Sequence, residues 1–356
     1  MIEALHSVGR AAGLDAVGVA PAVPFERTRG DLERRKAAGL AADMQFTYRN
    51  PRRSTEPEQA LPGARALVVG ARSYAHERDR PAPGTRPPGQ ERPVGRVARY
   101  ARHDHYAALR VGLEAVAARL RADGWRTRVL ADDNALVDRE AAVRAGLGWY
   151  GKSANVLLPG RGSWYVLGSV VTDAPLAAAG AVVEDGCGPC TRCLDGCPTG
   201  AIVAPGVVDA RRCLAWLVQA PGTFPVEWRE ALGNRIYGCD DCQEVCPPNR
   251  RADREIDPAP GDADATVDLL DLLAADDATL LARHGRWYIA GRDPRHLRRN
   301  ALLALGNAAA PDDPAVLQAL ATAASGDDEL LAEHARWAQE RLARRRTGAL
   351  ASGARR

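Results

Sequence analysis

The apolar positions of this chain change rhythm twice. Through the first half, helical and strand-like spacings take turns. Residues 1–20 read as a helix running into a short strand at 16–20, and 26–40 as a charge-rich helix. The polar, proline-punctuated stretch 48–57 reads as a loop and 64–70 as a buried strand. A breaker-rich loop follows from Pro81 to Pro93, with five prolines and two glycines; loops of that length tend to be functional or disordered. The clearest helix spans about 105–122. Leu109, Leu113, Val116 and Leu120 fall at spacings of four, three and four, which is one face of a 3.6-residue period, and Gly124 sits where helices end. Residues 127–130 form a strand that delivers Asp132, Asp133 and Asn134 at its carboxyl end. A helix over 136–145 stops at Gly146, and 155–158 and 164–171 are two more strands. Alternation of this kind predicts an α/β domain over 1–183.

The rhythm then lapses. Residues 184–257 hold short helical turns and few apolar runs, so this module is expected to be held by metal and not by a core. From 258 to 346 the chain is Ala/Leu-rich and everything from about 262 reads as helix. Within it, 295–307, 314–324 and 329–344 resemble stacked helix pairs of the HEAT type. So short an array is expected to pack on the rest of the chain, and 347–356 read as a frayed tail.

The cysteines explain the middle stretch. It reads Cys187-Gly-Pro-Cys190-Thr-Arg-Cys193-Leu-Asp-Gly-Cys197-Pro198, then Cys213, then Cys239-Asp-Asp-Cys242-Gln-Glu-Val-Cys246-Pro247. The first run has the C-x2-C-x2-C-x3-C-P spacing with which bacterial ferredoxins hold two 4Fe–4S clusters, the fourth cysteine of a run serving the other cluster. A full second run would need a cysteine at 236, where Ile236 stands, and Cys213 is the remaining thiol. All eight cysteines are then used. Cys187, Cys190, Cys193 and Cys246 hold cluster one; Cys197, Cys213, Cys239 and Cys242 hold cluster two. Zinc also uses paired C-x2-C motifs, but it does not account for the x2-x2-x3-Pro spacing. Disulfides need an oxidising compartment.

Composition narrows the class. A chain of 356 residues accommodates two or three domains, and 46% hydrophobic with 26% charged residues is ordinary for a globular protein. No run of about 18 apolar residues occurs, so no membrane span is expected. The N-terminus lacks the layout of a secretory signal, so a cytoplasmic location is expected. The net charge of +3 announces no polyanion partner. Of 48 basic residues only Lys36 and Lys152 are lysines; a lysine retained against that drift suggests a site needing a compact ammonium. No G-x-G-x-x-G follows a strand, which argues against a standard nicotinamide or flavin site.

Several runs together carry a family resemblance. They are 145–152 (Ala-Gly-Leu-Gly-Trp-Tyr-Gly-Lys), 162–168 (Gly-Ser-Trp-Tyr-Val-Leu-Gly), the first cysteine run through Ile202, and 209–213 (Asp-Ala-Arg-Arg-Cys). To these are added 233–243 (Gly-Asn-Arg-Ile-Tyr-Gly-Cys-Asp-Asp-Cys-Gln) and 298–307 (Arg-Arg-Asn-Ala-Leu-Leu-Ala-Leu-Gly-Asn). The chain resembles the epoxyqueuosine reductases from its N-terminal helix to about residue 345. That family is itself similar to reductive dehalogenases. The resemblance implies an α/β cobalamin-binding catalytic domain at 1–183, a ferredoxin-like two-cluster domain at 184–257 and a helical HEAT-like tRNA-binding region at 258–346. It implies reduction of epoxyqueuosine to queuosine at the wobble position of tRNA, the last step of queuosine biosynthesis. Electrons would pass through the two clusters to cobalamin, bound base-off without a protein histidine.

The resemblance also implies roles for particular residues. Opening an epoxide leaves an alkoxide that needs a proton, and overall reduction removes the oxygen as water. Asp132 aligns with the family's catalytic carboxylate and is expected to donate that proton. Such a donor stays protonated near neutral pH only through burial or like charge, and Asp133 is adjacent. The competing reading of Asp132 is an N-cap for the following helix. Corrin contact is implied for Arg53, Tyr100, Asp132, Lys152, Ser153, Asn155 and Gln219. The chain departs from the family's Asp-Tyr-His with Asp104-His105-Tyr106, which bears on where an assisting hydroxyl sits, and Asp132-Asp133-Asn134 replaces a smaller triplet. Arg292, Arg295, His296, Arg298 and Arg299 concentrate positive charge for tRNA phosphates, with Trp287 and Tyr288 beside them to stack on bases or to pack. The implied partners are tRNAs with a GUN anticodon (the Asp, Asn, His and Tyr types) and an external electron donor, with no membrane and a monomeric chain. Two other readings are a dehalogenase-like cobalamin enzyme acting on a small molecule and an electron carrier with no substrate. The helical tail and the 233–239 run speak against the first; a bound corrin would exclude the second.

Overall fold

The computed structural model describes residues 1–75, 92–177, 182–255 and 265–353; nearly all of the breaker-rich loop at 81–93 lies outside them. Two compact units emerge, and each is discontinuous in sequence. The first gathers Met1–Glu77, His103–Arg211 and Asp240–Ala259; the second gathers Arg78–Arg102, Arg212–Cys239 and Pro260–Arg356. Compaction therefore cuts the chain differently from the consecutive segments that composition suggests. In order along the chain the strands are β1 (Ala16–Pro21), β2 (Ala66–Ser73), β3 (Val94–Val97), β4 (Thr127–Ala131), β5 (Trp149–Tyr150) and β6 (Val156–Leu157). They continue with β7 (Tyr165–Thr172), β8 (Ile202–Ala204), β9 (Val207–Val208), β10 (Arg235–Tyr237) and β11 (Thr266–Asp268).

In the first unit a four-stranded sheet runs in the order β1-β2-β7-β4, every neighbour antiparallel. Helices cover both of its faces, which is why β2 and β7 read as nearly continuous apolar runs and not as alternating ones. On one face Leu67, Val69, Ala71, Leu130, Leu167 and Val171 form a core with Ala141 and Ala142 of helix Asp138–Arg144. On the other, Gly70 and Gly168 leave room for Leu113 of helix His105–Ala122; a Cβ at either would come within 2.9 Å and 2.8 Å of a Leu113 methyl. The β5–β6 hairpin sits beyond the sheet and carries residues 151–155 at its tip.

The second unit is built on the sheet β10-β3-β11. The sequence reading of everything beyond 262 as helix is corrected here, because Thr266–Asp268 pairs antiparallel with β3. Three residues are too few for a period to register. Helices Arg295–Ala308 and Pro314–Ala324 both pack on helix Glu329–Gly353, burying Leu297, Leu302, Leu305, Val316, Leu320 and Leu342 with Ile236 and Leu269. The last helix continues past the expected end at 344. The middle stretch is not coreless either. Leu214, Leu217, Val218, Phe224 and Leu232 form an apolar cluster with Leu303. No helix among the described residues is long and apolar enough to cross a membrane.

Candidate active site and cysteine centre

Four of the eight cysteines meet within the first unit. Cys187, Cys190 and Cys193 come from the loop and one-turn helix ending at Asp195, and Cys246 from the turn after helix Asp241–Glu244. These two short helices touch, and Gly196 lets Val245 approach so closely that a Cβ there would lie 2.9 Å from its methyl. Burial pushes the Cys246 thiol up to about 11, and Cys187, Cys193 and Cys190 then add to the shift by repulsion. Cys193 is raised as well, by burial first and then by Cys187 and Cys190 after a smaller opposing hydrogen bond. This mutual influence gathers the four thiols assigned to cluster one. Among the described residues no three His, Cys, Asp or Glu side chains converge as one metal ion requires, so the thiols share a region and not a point. Cys197 also lies in this unit, its sulfur accepting from the Ala201 amide at 3.2 Å, as does Cys242. Cys213 and Cys239 belong to the second unit.

Lys152 is committed to the cysteine loop. Its Nζ donates to the carbonyls of Gly188 at 2.6 Å and Cys190 at 2.9 Å. The rest of the hairpin tip is tied down around it. Ala154 sits in the left-handed region at φ 64°, Gly151 N donates to Asn155 O at 2.8 Å, and Asn155 Nδ2 reaches Ser153 Oγ at 3.4 Å. Arg139 donates to the Ala154 carbonyl at 3.1 Å.

A buried polar network fastens the second cysteine segment to the sheet end. Asn249 Oδ1 accepts from the Ser163 amide at 2.6 Å, and its Nδ2 donates to Ser163 Oγ at 3.0 Å. Gln243 Nε2 donates to the carbonyl and hydroxyl oxygens of Ser163 at 3.1 Å and 3.0 Å, and to the Tyr74 hydroxyl at 3.4 Å. Gly162 makes this possible. Its φ is 76°, and a Cβ would lie 2.0 Å from Asn249 Oδ1.

Asp132 stands just past β4 on a short loop pinned from three sides. Arg110 donates to the Ala131 carbonyl at 2.6 Å. Ser54 Oγ donates to Asn134 O at 2.7 Å, and Val137 N donates to Ser54 O at 2.9 Å. The helix start is served by others: Asp133 accepts from the Ala135 amide, and the helix begins only at Asp138. Asp132 is therefore not its N-cap. It holds φ 54°, a left-handed conformation uncommon outside glycine. Its side chain reaches solvent, yet enough protein surrounds it that desolvation raises its pKa; Arg110 opposes this, and Asp104 and Asp133 add to it. The departure at 104–106 resolves in this unit. His105 is buried against Tyr74, ring centroids 5.5 Å apart. Tyr106 lies within the field of Asp132 and Asp138, which reinforce the rise in its pKa that burial begins. The phenol at position 106 thus lies within electrostatic range of the acid. Arg53 is exposed on helix Pro51–Thr55 beside the Ser54 anchor. Asp138 escaped the sequence reading because an acid in a helix's first turn looks like a partner of the helix dipole.

In the second unit, Tyr100 and Gln219 come together, Gln219 Nε2 lying 3.5 Å from the Tyr100 hydroxyl. The expected cationic surface is largely spent. Arg299 is fully buried and donates to the carbonyls of Leu217 at 3.0 Å and Ala220 at 2.9 Å, closing the end of helix Leu214–Leu217. His296 is buried too and accepts from the Gly222 amide. Arg295 pairs with Asp293 at 2.7 Å and Arg298 with Asp277 at 2.6 Å; Arg292 is exposed. The sequence reading placed Arg299 outside because Arg is rarely buried, whereas Arg295, though paired, is exposed as expected. Trp287 packs between Tyr237 and His284, centroids 4.6 Å and 4.4 Å away. Tyr288, 42% exposed, stacks on Trp216.

A family model for a 4Fe-4S double cluster binding domain matches residues 186–249. Over nearly its whole length the chain is similar to an epoxyqueuosine reductase of Xanthomonas campestris pv. campestris, 35% identical over 342 residues that cover 94% of each chain. It is 32% identical over 309 residues to one from Bacillus subtilis, covering 86% of this chain and 78% of that one. A crystal structure of an epoxyqueuosine reductase with an epoxyqueuosine-modified tRNA-Tyr stem loop matches with a TM-score of 0.85 at 31% identity, over 96% of this chain and 90% of that one. A structure from Streptococcus thermophilus matches at 0.84 with 26% identity, over 97% and 90%.

Proposed function

This chain belongs to the epoxyqueuosine reductase family, and on that premise we propose that it reduces epoxyqueuosine to queuosine at the wobble position of tRNA in the cytoplasm. The observation that carries the reading is the pairing, in one unit, of a four-thiol set with Asp132, an acid of raised pKa on a pinned loop. Cys187, Cys190, Cys193 and Cys246 hold one 4Fe–4S cluster, and Cys197, Cys213, Cys239 and Cys242 hold the other. Lys152 fixes the first cysteine loop and sets a positive charge beside it.

The donor set suits a corrin, whose rim is a ring of neutral carboxamides. Within the first unit Ser153 and Asn155 offer a hydroxyl and an amide to such a rim, with Arg53 near the Asp132 loop. Cobalamin bound there would supply a strongly reducing cobalt centre. Asp132 protonates the oxygen released from the epoxide carbon. Because its acid form is the active one and its pKa is raised, the rate holds to higher pH than an ordinary carboxyl allows and falls as pH climbs through that pKa. The Tyr106 phenol, kept protonated by burial and the neighbouring acids, hydrogen-bonds in the same place. The segment that leads into the C-terminal helices, themselves read as a HEAT-like array, contributes Tyr288 and Arg292 toward a tRNA with a GUN anticodon. The working form is a monomer served by an external electron donor.

The test is anaerobic. The protein is reconstituted with iron, sulfide and cobalamin, reduced, and given tRNA carrying epoxyqueuosine; the digested RNA is weighed by mass spectrometry. A nucleoside lighter by one oxygen is expected, and Asp132→Asn should slow its formation by about 10²–10⁴-fold. Persistence of the epoxide in a fully loaded wild-type protein would overturn the assignment.

A further inference from the structure

Asp138 is unusual among the acids around the Asp132 loop. Its Oδ1 is buried and, among the described residues, has no hydrogen-bond partner. A carboxylate so placed loses its hydration with little in return, whereas a carboxylic acid escapes most of that penalty. The surrounding charges point the same way. Asp132 and Asp133 face it from the loop after β4, and Arg139 on its own helix opposes them less strongly than burial and the two acids act. Tyr106, from helix His105–Ala122, lies within electrostatic range of both Asp132 and Asp138 and brings a phenol that stays neutral. Arg110 and Asp104, from the same region, act on Asp132.

The proposed reaction gives this arrangement a use. Converting an epoxide to an alkene breaks two C–O bonds and forms one C–C π bond. It consumes two electrons, delivered singly by a low-potential one-electron donor, and two protons, and it releases water. Both protons end on the same oxygen. A single carboxyl facing that oxygen must therefore deliver twice, and between deliveries it must be recharged from somewhere other than the substrate.

We propose that Asp138, within the field of Asp132 and with one oxygen buried and unpartnered, is the proton reservoir that recharges Asp132 during a turnover. This rests on the function proposed above. Asp132 gives its proton to the alkoxide left by the first C–O cleavage. It takes the proton of Asp138 and gives that to the same oxygen as the second C–O bond breaks, so water leaves and not hydroxide. Both carboxylates then regain protons from solvent. Asp138 is thus a positioning residue for the proton, acting through Asp132 and not on the substrate.

Infrared difference spectra of the full-length protein in H2O and D2O, near neutral pH and without substrate, test the reservoir directly. A protonated-carboxyl band is expected in wild type and in Asp132→Asn, a change in a loop that reaches solvent; in Asp138→Asn it should weaken to what Asp132 alone supplies, and in the double variant Asp132→Asn/Asp138→Asn it should fall below its level in Asp132→Asn. Its absence from Asp132→Asn overturns the proposal even if the Asp138 variants fail to fold, as does an undiminished band in a folded Asp138→Asn. In the reconstituted enzyme, Asp138→Asn should bind the modified stem loop as wild type does and turn over about 10²-fold more slowly. Its rate should begin to fall at lower pH, because recharging then depends on solvent; an unshifted alkaline limb also overturns the proposal. Asp138→Glu should recover part of the rate. Failure of wild type to reduce the epoxide would sink the assigned reaction instead, and the infrared result would still stand on its own.

Discussion

Lys152 is one of two lysines in a chain with 48 basic residues, and its ammonium bridges two carbonyls of the loop that bears Cys187 and Cys190. An ammonium is compact and can aim three donors freely; a guanidinium is larger and holds its donors in a fixed planar fork, so it cannot take the place of Nζ between the Gly188 and Cys190 carbonyls without moving the loop. Lys152→Arg should therefore behave almost as badly as Lys152→Gln, each losing iron to a chelator faster than wild type. Retention equal to wild type in Lys152→Arg would show that charge alone matters there. The sequence hinted at this lysine by its rarity but not at its partners, which are backbone atoms and leave no trace in residue identity. Asp132 was legible as the residue after a strand, whereas its left-handed backbone was not. Asp138 and the buried Arg299 were invisible for a shared reason. Charged side chains are read as surface unless their partners are known, and those partners lie far away in sequence or, for Asp138 Oδ1, are absent among the described residues.

At the scale of elements, what could be read depended on length. Helix His105–Ala122 spans enough turns for its apolar stripe to repeat, and Pro314–Ala324 was found to the residue. Helix Leu214–Leu217 and strand β11 are too short to repeat anything, so the core they enter went unseen. The junction of Gly162, Ser163, Gln243 and Asn249 is the element-level feature most open to test. Asn249 satisfies three groups at once there. Asn249→Ala leaves buried polar atoms without partners, at about 1–3 kcal/mol, and should lower the thermal midpoint while leaving the cysteines themselves untouched. Unchanged stability would mean that water replaces the amide.

For the whole molecule, the cysteine assignment divides the metal content into two separable halves. Cys246→Ser should lower iron after reconstitution from about eight to about four per chain, and Cys213→Ser should do the same by emptying the other cluster. The two remaining clusters should differ in their electron paramagnetic resonance spectra once reduced. Identical spectra from the two variants, or loss of all iron from either, would require a different division of ligands.

The interleaving of the two units sets a timetable for synthesis. Ser163 must wait for Asn249, which leaves the ribosome 86 residues later. At about 5–20 residues per second that is a delay on the order of 4–17 s. Until then the end of the sheet cannot be sealed, and the first cysteine loop emerges before Cys246 exists. Iron delivery to this chain therefore belongs after translation has passed residue 246, and a nascent chain stalled earlier would present open thiols and an unfinished sheet end to the cell's quality control.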